Sequence, residues 1–192
     1  MLANQRRKAR YNQEDTPGEK KRLPGDLPAR WMIQRTTMKF IDDTTDYGMW
    51  FKMLICADGI KYSLFKENVT NYEAALSKKA GVYHFYSVSA VSACSLYIGK
   101  AGFGSGKWNL YERLKQHQQP SQGNTVHGAI SVEFCINSEQ SINLLSQGQV
   151  YLQYVAIHET SENNPPPDNI EQMVTEFESY CISRLNPKYS KR

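Results

Sequence analysis

Between Gly81 and Pro187 the apolar residues switch between a period of two and a period of 3.6, without the regular strand–helix alternation of a doubly wound sheet. That pattern confines the chain to the α+β class, as a small antiparallel sheet flanked by helices. Strand patterns fall at residues 81–88, 95–99, 129–136 and 150–158. In the third of these, Ile130, Val132, Phe134 and Ile136 share one face. A helix is expected over residues 109–118. Another follows the break at Pro165-Pro166-Pro167, where Asp168 and Glu171 have the spacing of a capping box. Ile170, Met173, Val174, Phe177 and Cys181 then recur at helical spacing, and the helix should stop near Asn186-Pro187. The glycine-rich run from Gly102 to Gly106 and residues 120–127 read as loops.

Upstream, the runs 49–56 and 60–65 flank Asp58-Gly59 and predict a β-hairpin, followed by a short helix over 71–79 capped near Thr70 or Asn71. Residues 1–30 show no period and are broken by Pro17-Gly18, Pro24-Gly25 and Pro28, which predicts a mobile arm. The 192 residues therefore divide into a basic arm (1–30), an N-terminal extension with the hairpin (31–79) and the main domain (80–192). Of the 23 basic and 19 acidic residues, eight and four lie in the arm, so it holds the whole net charge of +4. Such an arm suits a polyanionic partner or serves as a solubilising tail.

No stretch approaches the roughly 18 apolar residues of a membrane span. The start, Met1 to Lys8, lacks the apolar core of a secretory signal, so a cytoplasmic protein that is not secreted is expected. Cys56, Cys94, Cys135 and Cys181 are widely spaced with no C-x-x-C pair, which argues for reduced core thiols rather than a zinc site.

Three local features carry chemistry. Tyr83 shares a strand face with Phe85, and Tyr97 shares one with Gly99. If the two strands pair as a hairpin, both tyrosines point to the same side, although each alone reads as a packing residue. Arg113 and His117 are spaced i, i+4 and leave one helix face together; alone they read as a solvated basic edge. Lys100, Lys107 and Lys115 add positive charge nearby. Glu178 lies on an apolar stripe among Val174, Cys181 and Ile182, where a carboxylate is costly unless paired, bound to metal or able to reach water.

In order along the chain stand Gly81-Val82-Tyr83, Tyr97-Ile98-Gly99-Lys100-Ala101, Arg113 with His117, then Glu178, Ile182, Pro187 and Tyr189. This set resembles the GIY-YIG nuclease family over residues 81–190. The resemblance implies a DNA endonuclease that hydrolyses phosphodiester bonds with one divalent cation, Mg²⁺, for which Mn²⁺ can substitute. It implies that Tyr83 or Tyr97 activates the nucleophilic water, that Arg113 grips the scissile phosphate with His117 in support, and that Glu178 is the single acidic metal ligand. Lys100 would aid the tyrosines. Ser190 stands where many members carry asparagine, so its support of the site is expected to be weaker. The partner implied is double-stranded DNA, with Arg6, Arg7, Lys8, Arg10, Lys107 and Lys115 as the candidate phosphate contacts. A palindromic target would favour a homodimer. The expected compact build resembles the family's type II restriction endonucleases. A phage or mobile-element nuclease, a structure-selective repair nuclease and a catalytically inactive DNA-binding module of the same fold remain alternatives.

Overall fold

The computed structural model describes residues 45–90, 92–103, 108–119, 126–128 and 137–190. Among the described residues Thr45 opens the first helix, α1 (Asp46–Cys56), by accepting the Gly48 N–H on its hydroxyl at 3.1 Å. There follow β1 (Ile60–Lys61), α2 (Tyr62–Glu67), a 3₁₀ turn (Val69–Tyr72), α3 (Glu73–Leu76), β2 (Lys79–Val88), β3 (Ala93–Ala101), α4 (Leu110–Gln116), α5 (Ser138–Gln147), β4 (Val150–Glu159) and α6 (Ile170–Leu185). The four strands pair antiparallel in the order β1-β4-β2-β3. The α+β class and small antiparallel sheet expected from the pattern are therefore present, with helices on both faces.

Alternation along β2 builds two cores. Val82 points toward α1 and α6, where Phe51, Leu54, Ile55, Val155, Val174, Phe177 and Cys181 are buried. Tyr83 and Phe85 point the other way, into a cluster with Tyr62, Phe65, Leu110, Leu114 and Leu145. Residues before Lys79 thus contribute to both cores instead of standing beside them.

Two glycines permit close approaches at the centre of this sheet. Gly81 sits at a register shift between β2 and β4, and a Cβ there would lie 2.0 Å from the Val155 carbonyl oxygen. Gly99 faces Tyr83 across the β2–β3 ladder, and a Cβ there would lie 2.3 Å from the Tyr83 hydroxyl. Only glycine lets the Tyr83 ring lie across β3 in this way.

α6 ends at Asn186, which adopts a left-handed conformation (φ 44°), and the chain turns back along the outer edge of β3. Lys188 N–H donates to Ser95 C=O at 3.1 Å and Tyr189 N–H to Leu96 C=O at 2.8 Å. Ser190 finishes the clamp, since its hydroxyl accepts from Ile98 N–H at 2.7 Å and donates to Ile98 C=O at 3.1 Å. Ser190→Ala should therefore lower stability by about 1 kcal/mol, read as a lower urea midpoint at unchanged slope. An unchanged midpoint would mean that water replaces the hydroxyl without loss.

Several expectations need correction. The hairpin of the N-terminal extension does not form: residues 46–56 are helical, because Phe51, Leu54 and Ile55 make one buried face at a 3.6 period. A short apolar run is ambiguous between strand and helix. Asp58-Gly59 lies in the connection from that helix to the two residues of β1, which pair with Leu152 and Tyr151, and the strand expected over 60–65 is helical from Tyr62 onward. The helix expected over 71–79 shortens to the 3₁₀ turn and α3, since the chain is already in β2 at Lys79. The capping box of Asp168 and Glu171 is absent; Asn169 occupies the cap position without a side-chain bond. Residues 126–128 form a helical turn at the end of the expected loop, with Val126 and His127 fully buried. Cys181 is buried and Cys56 half-buried, but Cys94 is exposed and is not a core thiol. The strand expected at 129–136, Cys135, the arm with Arg6, Arg7, Lys8 and Arg10, and Lys107 lie outside the described residues. Among the described residues no helix is long and apolar enough to cross a membrane.

Candidate active site

On the α4 face of the sheet, β2 and β3 bring Tyr83 and Tyr97 together, their rings stacked with centroids 6.4 Å apart. His117, the residue that caps α4, lies edge-on to both rings, with centroid distances of 5.2 and 5.4 Å. Its Nε2 is 2.8 Å from the Tyr83 hydroxyl, and its Nδ1 accepts the Val126 N–H at 3.1 Å. A backbone N–H can only donate, so Nδ1 must carry the lone pair and the ring proton of neutral His117 sits on Nε2. His117 therefore donates to Tyr83. Burial, with the positive Arg113 and then His127 adding to it, pushes the His117 pKa well below its ordinary value and keeps the ring neutral. The reading of His117 as part of a solvated edge is replaced by a fully buried ring of fixed polarity.

Tyr83 is completely buried, and desolvation drives its pKa well above the ordinary phenol value, with Tyr97 adding to the effect and Arg113 opposing it. Tyr97 is only half-buried. Its pKa is raised first by burial and also by Glu178, while the Arg113 charge and hydrogen bonds from Tyr83 and Arg113 favour its ionised form. The donors thus run from Val126 N–H to His117 and from His117 to Tyr83, whose ring stacks on Tyr97 and favours its ionised form.

Arg113, one helical turn before His117, is half-buried, and its guanidinium donates to the Gln116 side chain. It acts electrostatically on both phenols, on His117 and on Glu178. Glu178 reaches the same neighbourhood from the other face of the sheet, on α6. Burial raises its pKa, while Lys100 and Arg113 pull it down. Lys100, on β3, holds Nζ 3.9 Å from the Glu178 carboxylate and also donates to Thr175 Oγ1, one turn earlier on α6. The Thr175 hydroxyl in turn donates to Glu171 C=O at 2.6 Å. The cluster therefore straddles the edge strand β3, with phenols, imidazole and guanidinium on one face and the carboxylate and lysine on the other. Ser190 meets that strand at Ile98, between Tyr97 and Gly99.

Among the described residues no group of three or more His, Cys, Asp or Glu side chains could hold a metal ion. A divalent cation in this cluster would rest on Glu178 as its one carboxylate. A hard ion such as Mg²⁺ fits that donor, because it keeps several waters and takes other oxygens from a bound phosphate. The cost of burying the Glu178 charge also favours a cation beside it.

Of the residues singled out from sequence, Tyr83, Tyr97, Lys100, Arg113, His117 and Glu178 share this neighbourhood. Lys115 does not follow them: two residues from Arg113, it leaves α4 on another side, exposed, with Nζ 5.4 Å from the Tyr111 ring centroid. Sequence reasoning missed Thr175, the Val126 N–H and the buried pair of Tyr62 and His127, whose Oη and Nε2 are 2.7 Å apart. Thr175 is legible only once Glu178 is placed, being three residues before it on the same helix. No local pattern marks the others. No family model matches the chain, and comparisons with curated proteins and with solved structures likewise gave no match.

Proposed function

We propose that the protein is a divalent-metal-dependent DNA endonuclease of the GIY-YIG type, and in its finer reading a sequence-specific type II restriction endonuclease. One observation carries the proposal: two stacked phenols, the inner one hydrogen-bonded to a buried imidazole, lie beside a guanidinium and across one strand from a half-buried carboxylate. Phosphodiester hydrolysis needs a proton acceptor for water, a fixed cation for the phosphate and an anionic anchor for a metal, all within one small volume.

In this reading Arg113 grips the scissile phosphate with two parallel hydrogen bonds. Tyr97, in its ionised form, takes the proton of the attacking water, because it is the less buried of the two phenols. Tyr83 holds Tyr97 in place and favours its ionised form. His117, unable to gain a proton easily in its buried position, orients Tyr83 and does no acid–base work. A divalent cation held by Glu178 would offset the negative charge that develops on the phosphate oxygens. Lys100 favours the ionised form of the carboxylate that would hold the cation.

Tyr97→Phe and Tyr83→Phe separate the two phenols, since each keeps its ring and packing. Tyr97→Phe is expected to slow single-turnover cleavage by ~10²-fold, on the scale of losing a positioned base, and Tyr83→Phe by less. A larger loss in Tyr83→Phe would reverse the assignment. The function itself is tested by incubating the protein with mixed plasmid and phage DNA in Mg²⁺ and sequencing the new ends. A fixed motif at those ends supports the restriction reading. Random ends would leave a nuclease without sequence specificity, and intact DNA would leave at most a DNA-binding module.

A further inference from the structure

The polarity of the donor chain depends on one backbone N–H, that of Val126, and the structure shows what holds it. Val126 and His127 lie in the helical turn at 126–128, and both are fully buried. His127 is fastened from α2: its Nε2 is 2.7 Å from the Tyr62 hydroxyl, and the two rings meet edge to face with centroids 5.7 Å apart. Either group can donate in this bond, according to which ring nitrogen of His127 carries the proton. Tyr62 itself is buried against Phe85, whose ring also touches His117, with a centroid distance of 5.2 Å. Tyr62, His127, Val126 and His117 thus form one packed, hydrogen-bonded unit behind Tyr83, with no surface role to explain two buried polar rings.

We infer that Tyr62 and His127 are positioning residues: they anchor the 126–128 turn so that the Val126 N–H locks His117 as a neutral Nε2–H donor to Tyr83. The hydroxyl–imidazole bond is what holds the pair, because burying either group without it would cost more. A purely apolar pair could fill the same space. It would leave the turn, and with it the Val126 N–H, free to shift away from His117 Nδ1. The imidazole could then exchange its ring proton between nitrogens, and Tyr83 would lose a dedicated donor.

The inference rests on the nuclease reading only for its kinetic consequence; its structural half is measured without DNA. The test is ¹⁵N spectroscopy of the histidine rings in full-length protein near neutral pH, beside single-turnover cleavage, for Tyr62→Phe, His127→Phe and His127→Gln. Tyr72→Phe, which removes a half-buried hydroxyl elsewhere in the same core, is the control. Wild type and Tyr72→Phe should show His117 as a single Nε2–H tautomer. Tyr62→Phe and His127→Phe should show mixed tautomers and roughly tenfold lower maximal rate at unchanged KM, the scale of a small misplacement. His127→Gln, which can still hydrogen-bond to the Tyr62 hydroxyl, should retain most of both. A pure Nε2–H tautomer in both phenylalanine variants would overturn the inference, as would equal losses in His127→Gln and His127→Phe. If the tautomers respond as stated while wild-type protein leaves DNA intact, the positioning role stands and the nuclease reading alone fails.

Discussion

Glu178→Gln is expected to reduce DNA cleavage by ~10³-fold or more while leaving the protein folded and able to bind DNA. Glutamine keeps the shape of the side chain but removes the one carboxylate on which a divalent cation in this cluster would rest. The effect on stability runs the opposite way. Burial raises the Glu178 pKa above its ordinary value, so the folded chain favours the protonated carboxyl more than the unfolded chain does. Stability from such a group is complete below the unfolded-state pKa and is lost as pH rises through the folded-state value. At neutral pH the wild-type protein bears that penalty and the glutamine variant does not. Lys100 loses its partner at 3.9 Å, but its side chain is one-third exposed and keeps water. In melts without divalent ions, the variant should match wild type in acid and melt at or above it as pH approaches neutral. Normal cleavage would remove Glu178 from the metal assignment, and a lower neutral melting temperature would show that its pairing with Lys100 outweighs the cost of burial.

Arg113→Ala should lower cleavage by at least ~10²-fold, the scale of losing one preorganised donor to developing charge. The expectation is reinforced by the position of the side chain, which acts on Tyr83, Tyr97, His117 and Glu178 alike. Its loss withdraws the charge that favours the ionised Tyr97, so the pH at which cleavage rises should move upward as the rate falls. Arg113→Lys should restore the rate only partly, since an ammonium cannot form two parallel bonds to phosphate. Full activity in the lysine variant would reduce the role of Arg113 to local positive charge.

Much of this site could be read from the chain because its parts sit on regular elements. The tyrosines lie on strands whose alternation fixes their side, and Arg113 and His117 lie one turn apart on a helix. Gly81 and Gly99 also have a physical reason visible only in the fold, since each accommodates an atom that a Cβ would strike. What could not be read was the depth of each group. The i, i+4 pair looked like a basic edge, yet His117 is buried because the turn at 126–128 folds over it. That turn comes from a stretch without periodicity, so neither it nor His127 could be anticipated. The failed hairpin has a different cause: in residues 46–56 the apolar run is nearly continuous, and only the buried positions of Phe51, Leu54 and Ile55 separate a helix from a strand. The joining of two sheet faces at β3 also needed the structure, because Glu178 and Tyr97 are far apart in sequence and lie on opposite sides of the strand.

The most direct test of the account is the fate of supercoiled duplex plasmid incubated with the purified full-length protein in Mg²⁺, alongside the same reaction in excess chelator. The account predicts nicked and linear DNA in Mg²⁺ that carries through to discrete fragments, and no cutting in chelator. Plasmid left supercoiled in Mg²⁺ and in Mn²⁺ by protein that binds it, or equal cutting with the ion removed, would contradict it.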